Sequence, residues 1–300
     1  MIRLGIVDFD SSHSVEFTKR LNHRIAPEEQ WVEGAEVVAG CVLPSAIADQ
    51  ARIDGFVRTF TEELGLPLVD RPEDLLGRID GVLIEAVDGS VHLERARPFL
   101  EAGLPTFVDK PFTCSVADAR ALIDLAERHN APLFSTSSLR YAPDVTEFVA
   151  ASEQNGATLG CDIYCPASTH PRNPGLYHYG IHGVETLFAV MGPGCEAVWC
   201  VSEEGVDVVT GRWRGGRLGT LRGTRAGASG YGFTEFTEKR VVPVTVGTQL
   251  IYRELLKRIV ELMTTKKSPL DLRETLEITA FMEAALHSGR EKGAPKPLGV

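Results

Sequence analysis

Two stretches of the chain carry residue types that could move protons. VDKPF places Asp109 and Lys110 at the end of an apolar segment, and open α/β sheets hold their ligands at the carboxyl ends of such strands. GLYHYGIHG places His178 and His182 four residues apart, so a helix would carry both imidazoles on one face. A lysine and two histidines in these positions favour acid–base work on a small molecule.

A third stretch, SSLRYAP, places Arg140 and Tyr141 after another apolar segment. An arginine and a tyrosine there suit an anionic or hydroxylated ligand. Each of the three stretches also has a structural interpretation. Lys110 could pair with Asp109, the histidines could pack in the core, and Arg140 could form an ion pair.

The histidine spacing also permits a metal site at His178 and His182. Asp162 and His170 could add ligands to it. Because no tight metal-binding signature such as HExxH is present, this interpretation is the weaker alternative.

The elements that must position these residues alternate between strand and helix in the first half of the chain. Six extended, mostly apolar segments lie at 4–7, 36–43, 66–70, 81–86, 105–110 and 132–138, and helical patterns at 14–24, 90–102 and 115–130 lie between them. Such runs are typical of a parallel sheet covered on both faces. The sequence therefore predicts an α/β protein that begins with a Rossmann-like, doubly wound, nucleotide-binding type of domain over residues 1–139.

After residue 155 the pattern changes to successive extended segments with glycine-bearing turns. One helix is predicted at 177–190, and two close the chain at 249–264 and 272–288. This pattern predicts a second α/β domain over residues 140–300, with an open, mostly antiparallel sheet.

Composition excludes several classes of partner. The chain has 300 residues and a formal net charge of -10, so electrostatics do not favour nucleic acid or an anionic membrane. We find no run of 18 apolar residues and no signal-peptide pattern. The six cysteines contain no CxxC pair, which favours a reducing, cytoplasmic location.

The motifs together resemble one family. DKP after the fifth strand, RYxP after the sixth and GxH on the later helix are similar to the Gfo/Idh/MocA oxidoreductases. The closing segment DLRETLEITAFMEAALHSGREKG resembles that family too, and the motif order is kept along the chain.

The resemblance implies a cofactor, NAD or NADP, and oxidation or reduction of a carbinol on a sugar- or cyclitol-like substrate. It implies catalytic roles for Lys110 and His182. His178 stands where the family often has an aspartate, and Asp109 replaces the glutamate of the family's EKP motif. A homodimer or homotetramer through the C-terminal sheet is expected as well.

The same resemblance suggests two sets of binding residues. The cofactor-binding set is Phe9, Asp10, Ser11, Ser12, His13, Glu85, Ala86, His92, Asp109 and Lys110. The substrate-binding set is Arg140, Tyr141, Asp162, His170 and Tyr179.

The first turn departs from the family pattern. The glycines of GxGxxG fall on Asp8, Asp10 and His13 in the stretch DFDSSH. Two carboxylates near a pyrophosphate would cancel much of its binding energy unless they point away. The loop therefore either turns these carboxylates aside or closes the crevice to a dinucleotide.

The end of the second strand also departs, because Val42-Leu43-Pro44-Ser45 lacks the acidic residue expected for the ribose. This is compatible with NADP, with Ser45 or Arg52 near a 2′-phosphate, or with the absence of an adenosine site.

Three functions remain open from the sequence. The first is an NAD(P)-dependent oxidoreductase. The second is a relative with non-redox chemistry on a keto-sugar, such as a lyase, epimerase or hydrolase, with or without a metal. The third is a non-enzymatic binding or regulatory protein that has lost the dinucleotide.

Overall fold

The computed structural model describes residues 1–151 and 155–300, which form two compact units. The first unit contains Met1–Thr113, Ala117–Thr136 and Tyr252–Leu272. The second contains Cys114–Val116, Ser137–Ile251 and Arg273–Val300.

The first unit is built on a six-stranded parallel sheet with the order β3-β2-β1-β4-β5-β6. Its elements up to β6 are β1 (Ile2–Val7), α1 (His13–Leu21), β2 (Ala35–Cys41), α2 (Gln50–Arg58), β3 (Leu68–Val69), β4 (Gly81–Ile84), α3 (His92–Glu101), β5 (Thr106–Val108), α4 (Val116–Arg128) and β6 (Leu133–Ser135).

From β1 the chain adds β2 and β3 on one side of the sheet, and it then adds β4, β5 and β6 on the other side. The carboxyl ends of β1, β4 and β5 therefore lie side by side. All four residues of β4 and all three of β5 are buried. These strands are apolar throughout because helices cover both faces of a parallel sheet. The predicted doubly wound sheet is confirmed.

The second unit contains a seven-stranded sheet with the order β12-β11-β7-β10-β9-β8-β13. Its elements are α5 (Pro143–Ala150), β7 (Thr158–Pro166), α6 (Ile181–Met191), β8 (Cys195–Glu203), β9 (Val206–Trp213), β10 (Leu218–Thr224), β11 (Gly232–Thr237) and β12 (Val241–Thr245). The chain closes with α7 (Ile251–Thr265), α8 (Leu272–Arg290) and β13 (Lys296–Pro297).

Neighbouring strands of this sheet are antiparallel, except that β7 and β10 are parallel. Helix α6 packs closely on one face of this sheet. The small size of Gly183 permits this, since a methyl group added there would lie 2.4 Å from Leu221 Cδ1 and 2.6 Å from Cys165 Sγ. The mostly antiparallel second sheet is as predicted.

Helix α7 belongs to the first unit, although the sequence placed it within a second domain of residues 140–300. A methyl group at Gly34 would lie 2.8 Å from Val260 Cγ1, and one at Gly81 would lie 2.3 Å from Met263 Sδ. The second half of the helix therefore packs against the amino-terminal ends of β2 and β4. Contacts of this kind are set by the tertiary fold and are not visible in the order of segments.

Within the described ranges, no helix combines the length and the apolar character needed to cross a membrane.

Candidate functional site

The carboxyl edge of the first sheet gathers buried acids. Asp8 follows β1, Glu85 follows β4 and Asp109 follows β5. Their residues are 3%, 0% and 0% exposed. Burial of this many carboxylates is costly unless cations or hydrogen bonds compensate.

His13, the first residue of α1, lies against two of these acids. Its Nδ1 is 2.8 Å from Asp109 Oδ2 and 3.6 Å from Glu85 Oε2. The imidazole stacks on Phe17, with ring centroids 4.6 Å apart, and meets the edge of Tyr252 at 4.9 Å. We call His13, Glu85 and Asp109 the acid–histidine cluster.

Charges in the acid–histidine cluster are mutually dependent. Burial opposes the charged form of His13, but the neighbouring Asp109 outweighs it and raises the pKa of His13 to about 9. Burial also opposes ionisation of Asp109, yet His13 and Lys110 together lower the pKa of that carboxyl. For Glu85, burial dominates and raises the pKa.

Lys110 lies beside this cluster, as its position after β5 predicted. Its Nζ is 3.9 Å from Asp109 Oδ2, and its side chain is 11% exposed. The salt-bridge interpretation is therefore partly realised, while a small part of the Lys110 side chain remains accessible.

Asp8 occupies the first glycine position of the family motif and has a φ of +75°. Its Oδ2 lies 3.4 Å from Arg95 Nε. Burial raises the pKa of Asp8 to about 7, against the lowering effect of Arg95. The carboxylate is therefore held by a cation of the first unit.

Asp10 occupies the second glycine position, and its carboxylate accepts two hydrogen bonds. Val87 N donates to Oδ1 at 3.0 Å, and Ser45 Oγ donates to Oδ2 at 2.6 Å. Ser45, one of the two residues that the NADP alternative would place near a 2′-phosphate, thereby donates its hydroxyl proton to Asp10. Both loop carboxylates are turned to protein partners.

Ser11 and Ser12 directly precede α1, as predicted. Ser11 Oγ accepts a hydrogen bond from His13 N at 3.2 Å. The amide of Val15 likewise donates to Ser12 O at 3.2 Å, so it is the positive end of the helix dipole that suits an anion here.

Two residues of the predicted cofactor set serve the core of the first unit instead. Phe9 is 1% exposed, and its ring meets Phe60 edge-on at 4.9 Å. The ring nitrogens of His92 face the carbonyl oxygens of Ala86 and Phe112 at 2.8 and 3.1 Å. The sequence could not show this, because a position near a sheet edge does not specify where a side chain points.

The second unit has its own polar cluster around His182, on α6. His182 Nδ1 is 2.6 Å from Ser137 Oγ, and the residue is 8% exposed. The rings of Tyr179 and Tyr231 meet the imidazole edge-on at 4.8 and 6.3 Å. Tyr231 donates a hydrogen bond to the hydroxyl of Tyr179 at 3.3 Å. The imidazole is thus oriented from one side and bordered by two phenols.

Arg140 differs from the expectation of a substrate-binding arginine. Its Nη1 lies 3.2 Å from Glu185 Oε2, and its Nη2 contacts the Glu274 carboxylate. Two carboxylates therefore already neutralise the guanidinium within the second unit. Tyr141 ends the adjoining 3-10 turn and is half-buried.

The other histidines do not join His182. His178 lies between a 3-10 turn, Gly175–Tyr177, and α6, so the two histidines do not share the predicted helix face. Its ring instead lies 5.6 Å from that of His170. Within residues 1–151 and 155–300, neither His178 nor His182 belongs to a group of three close metal-ligating side chains.

Asp162 also lies away from His182. It occupies the exposed face of β7, while Cys161, Ile163 and Cys165 point to the core that α6 covers. Its carboxylate accepts a hydrogen bond from Thr220. The alternation of side chains along a strand places it on the opposite face.

Sequence reasoning missed Arg95, Ser137, Tyr231 and Tyr252. Ser137 lies at the end of the predicted strand 132–138 and begins the stretch SSLRYAP, so it could have been included. Arg95 follows His92 by three residues, and that spacing gave no reason to expect a partner for Asp8. The two tyrosines come from distant segments, and no local signal connects them to either cluster.

Part of the chain matches a known protein family. Residues 46–137 match the family model described as the Gfo/Idh/MocA oxidoreductase family with an NAD-binding Rossmann fold. This segment of the chain is similar to that family. The Gfo/Idh/MocA match covers the segment from the β2–α2 connection to Ser137, which includes Glu85, Asp109 and Lys110.

A relative in Amycolatopsis mediterranei, provisionally named as the oxidoreductase subunit of UDP-kanosamine synthase, is 27% identical over 179 residues. That match covers 54% of this chain and 50% of the relative, so the chain matches about half the relative's length.

Solved structures share the fold. A probable dehydrogenase from Thermotoga maritima is 18% identical, covers 99% of both chains and has a TM-score of 0.83. A scyllo-inositol dehydrogenase from Lactobacillus casei, solved with NAD(H) and scyllo-inositol, is 13% identical, covers 100% of both chains and has a TM-score of 0.81.

Proposed function

We propose that this chain is an NAD(P)-dependent oxidoreductase that acts on a sugar- or cyclitol-like carbinol or on the corresponding ketone. The family description supports the cofactor, and the name of the scyllo-inositol dehydrogenase supports the substrate class. The observation that carries the proposal is the conformation of the DFDSSH turn.

The turn fits a dinucleotide although its glycines are absent. Asp8 adopts the positive φ that a glycine would supply. The carboxylates of Asp8 and Asp10 are held by Arg95, Ser45 and the amide of Val87. Ser11 and Ser12, at the positive amino end of α1, would hold the pyrophosphate.

A bound nicotinamide would supply the hydride acceptor or donor. In the second unit, His182 would exchange the proton of the substrate hydroxyl at Nε2, because Nδ1 is engaged by Ser137. The ring contacts of Tyr179 and Tyr231 restrict the orientation of that imidazole. In the first unit, the ammonium of Lys110 would orient or polarise the oxygen of the reacting carbon.

Binding of the cofactor tests the proposal directly. We expect the fluorescence of NADH or NADPH to change on titration with the protein, with saturation at one cofactor per chain. Oxidation of myo-inositol or scyllo-inositol with NAD+ or NADP+ should then fall by about 10²-fold or more in His182→Ala. The Asp74→Asn variant, at a half-buried residue that pairs with Arg71, serves as the control. The absence of any cofactor response in the folded protein would contradict the proposal.

The oligomer forms part of the same proposal. Tyr164, Val208 and Phe236 leave exposed apolar surface on three strands of the second sheet. Such a face favours a second copy of the chain. We expect light scattering to give the mass of a dimer or tetramer for the wild type. The Tyr164→Arg variant should instead have the mass of the 32.7 kDa monomer. A monomeric wild-type protein would contradict this part alone.

A further inference from the structure

The acid–histidine cluster brings three metal-ligating side chains together in the first unit. His13 begins α1, Glu85 follows β4 and Asp109 follows β5. One ligand atom from each residue lies within 4.8 Å of the others, and all three residues are buried. Three separate elements of one sheet edge therefore converge on one small volume.

The carboxylates in this cluster are under-satisfied. Within residues 1–151 and 155–300, neither oxygen of Glu85 accepts a hydrogen bond, and Asp109 Oδ1 accepts none. Glu85 has no exposed surface, and its Oε2 is directed at His13 Nδ1 from 3.6 Å. Buried polar atoms without partners are uncommon and call for an explanation such as an ion.

The spacing suits a small divalent cation. Tetrahedral zinc binds nitrogen and oxygen at about 2.0–2.2 Å, which places adjacent ligand atoms about 3.4 Å apart. The 3.6 Å between His13 and Glu85 already agrees, while the 2.8 Å between His13 and Asp109 would widen. An imidazole with two carboxylates favours first-row transition metals over calcium, and three protein ligands leave one position open for water.

We propose that His13, Glu85 and Asp109 form a binding site for one divalent first-row transition metal ion, of which Zn²⁺ is the test case. This site goes beyond the proposed oxidoreductase function and does not depend on it. Lys110 Nζ, 3.9 Å from Asp109 Oδ2, opposes the cation and limits the affinity of the site.

The test begins with wild-type protein treated with a chelator and then titrated with Zn²⁺ by calorimetry. We expect one ion per chain, together with a rise in Tm. Co²⁺ in place of Zn²⁺ should give weak visible bands without sulfur-to-metal charge transfer, because no cysteine is a ligand. A folded wild-type protein that binds neither ion, or a cobalt spectrum with thiolate bands, would overturn the proposal.

Four single variants locate the ion. Glu85→Gln and His13→Gln should each weaken Zn²⁺ binding by more than about tenfold, while circular dichroism shows the fold retained. Asp8→Asn is the matched control, because Asp8 is a buried acid at the same sheet edge outside the cluster. Lys110→Met should bind Zn²⁺ as tightly as wild type or more tightly.

Equal Zn²⁺ affinity in Glu85→Gln and wild type would place the ion elsewhere and overturn the assignment. If a cluster variant fails to fold, cobalt spectra of the wild type with and without a competing chelator still decide the ligand type. If the protein bound Zn²⁺ but gave no response to NADH, only the proposed oxidoreductase function would be contradicted. If it bound NADH but not Zn²⁺, only this metal site would be contradicted.

Discussion

Asp8 contributes two separate properties to its turn, a backbone conformation and an ionisable side chain. Its φ of +75° lies in the left-handed region that favours glycine, and aspartate is among the residues that tolerate it best. Its charge is opposed by burial, which raises the pKa to about 7, although Arg95 lies close by. The same residue can thus keep the shape of a nucleotide-binding turn while carrying a variable charge.

This raised pKa predicts the direction of a pH effect on stability. Between about pH 4 and pH 7 the folded state holds a proton on Asp8 that the unfolded state releases, so the free energy of unfolding falls as pH rises. In Asp8→Asn this contribution disappears. We expect the variant to be more stable than wild type at pH 8, by up to about 4 kcal/mol, and closer to it at pH 5. Urea unfolding at both pH values measures the difference.

Asp80→Asn is the control for that measurement. Hydrogen bonds from Arg3 lower the pKa of Asp80 to about 2, so its contribution is constant above about pH 5 and is lost only as pH falls toward 2. This variant should change stability equally at pH 5 and pH 8. If Asp8→Asn behaved in the same way, the titration of Asp8 would not be the cause.

Asp10 predicts an effect on cofactor affinity. Its carboxylate is held by Ser45 and by the amide of Val87, yet it still adds a negative charge near the amino end of α1. Asp10→Asn removes that charge and keeps an acceptor for Val87. We expect NADH to bind up to roughly tenfold more tightly, which is about 1.4 kcal/mol, while the protein loses about 1 kcal/mol of stability. Fluorescence titration and urea unfolding measure the two effects. Weaker NADH binding by a folded variant would show that the carboxylate assists the cofactor.

At the scale of elements, the strands of the first sheet could be predicted because buried parallel strands consist of continuous apolar residues, as in the GVLI of β4. The helix predicted at 177–190 was less accurate. Two glycines, Gly175 and Gly180, bracket its first turn, and the α-helix begins only at Ile181. His178 was therefore grouped with His182 on a helix face that does not extend to it. Periodicity predicts that a helix exists but defines its ends poorly.

Two helical glycines allow a paired prediction about packing. A methyl group added at Gly183 in α6 would lie only 2.4 Å from Leu221 and 2.6 Å from Cys165. A methyl group added at Gly55 in α2 would have no neighbouring atom within 4 Å among the described residues. Gly183→Ala should destabilise the protein by about 1–3 kcal/mol. Gly55→Ala should stabilise it by about 0.5–1 kcal/mol. Chemical unfolding measures both, and a loss at Gly55 equal to that at Gly183 would show that helix packing is not what separates them.

At the scale of the whole molecule, the chain enters the first unit, leaves it after Thr136, and returns for Tyr252–Leu272. The sequence predicted both sheets, but it could not assign α7, because an amphipathic helix does not specify which sheet it covers. The acid–histidine cluster was hidden for a similar reason. Its members were each expected near a cofactor, and only the fold shows that they contact one another and that Tyr252 covers the histidine.

Because α7 lies in the first unit, we expect a mutation in this helix to promote local unfolding of the first sheet and not of the second. Met263 is buried against Gly81 at the start of β4, so Met263→Ala should leave a cavity and cost about 2–5 kcal/mol. Because each unit has its own core, the loss should appear as faster amide hydrogen exchange in β1 and β4, with little change in β9 and β10. Met191→Ala, at a buried position on α6 in the second unit, should give the opposite pattern. Exchange measured by mass spectrometry separates the two sheets. If Met263→Ala accelerated exchange in β9 and β10 as strongly as in β1 and β4, the two units would open together and α7 would not belong to the first one alone.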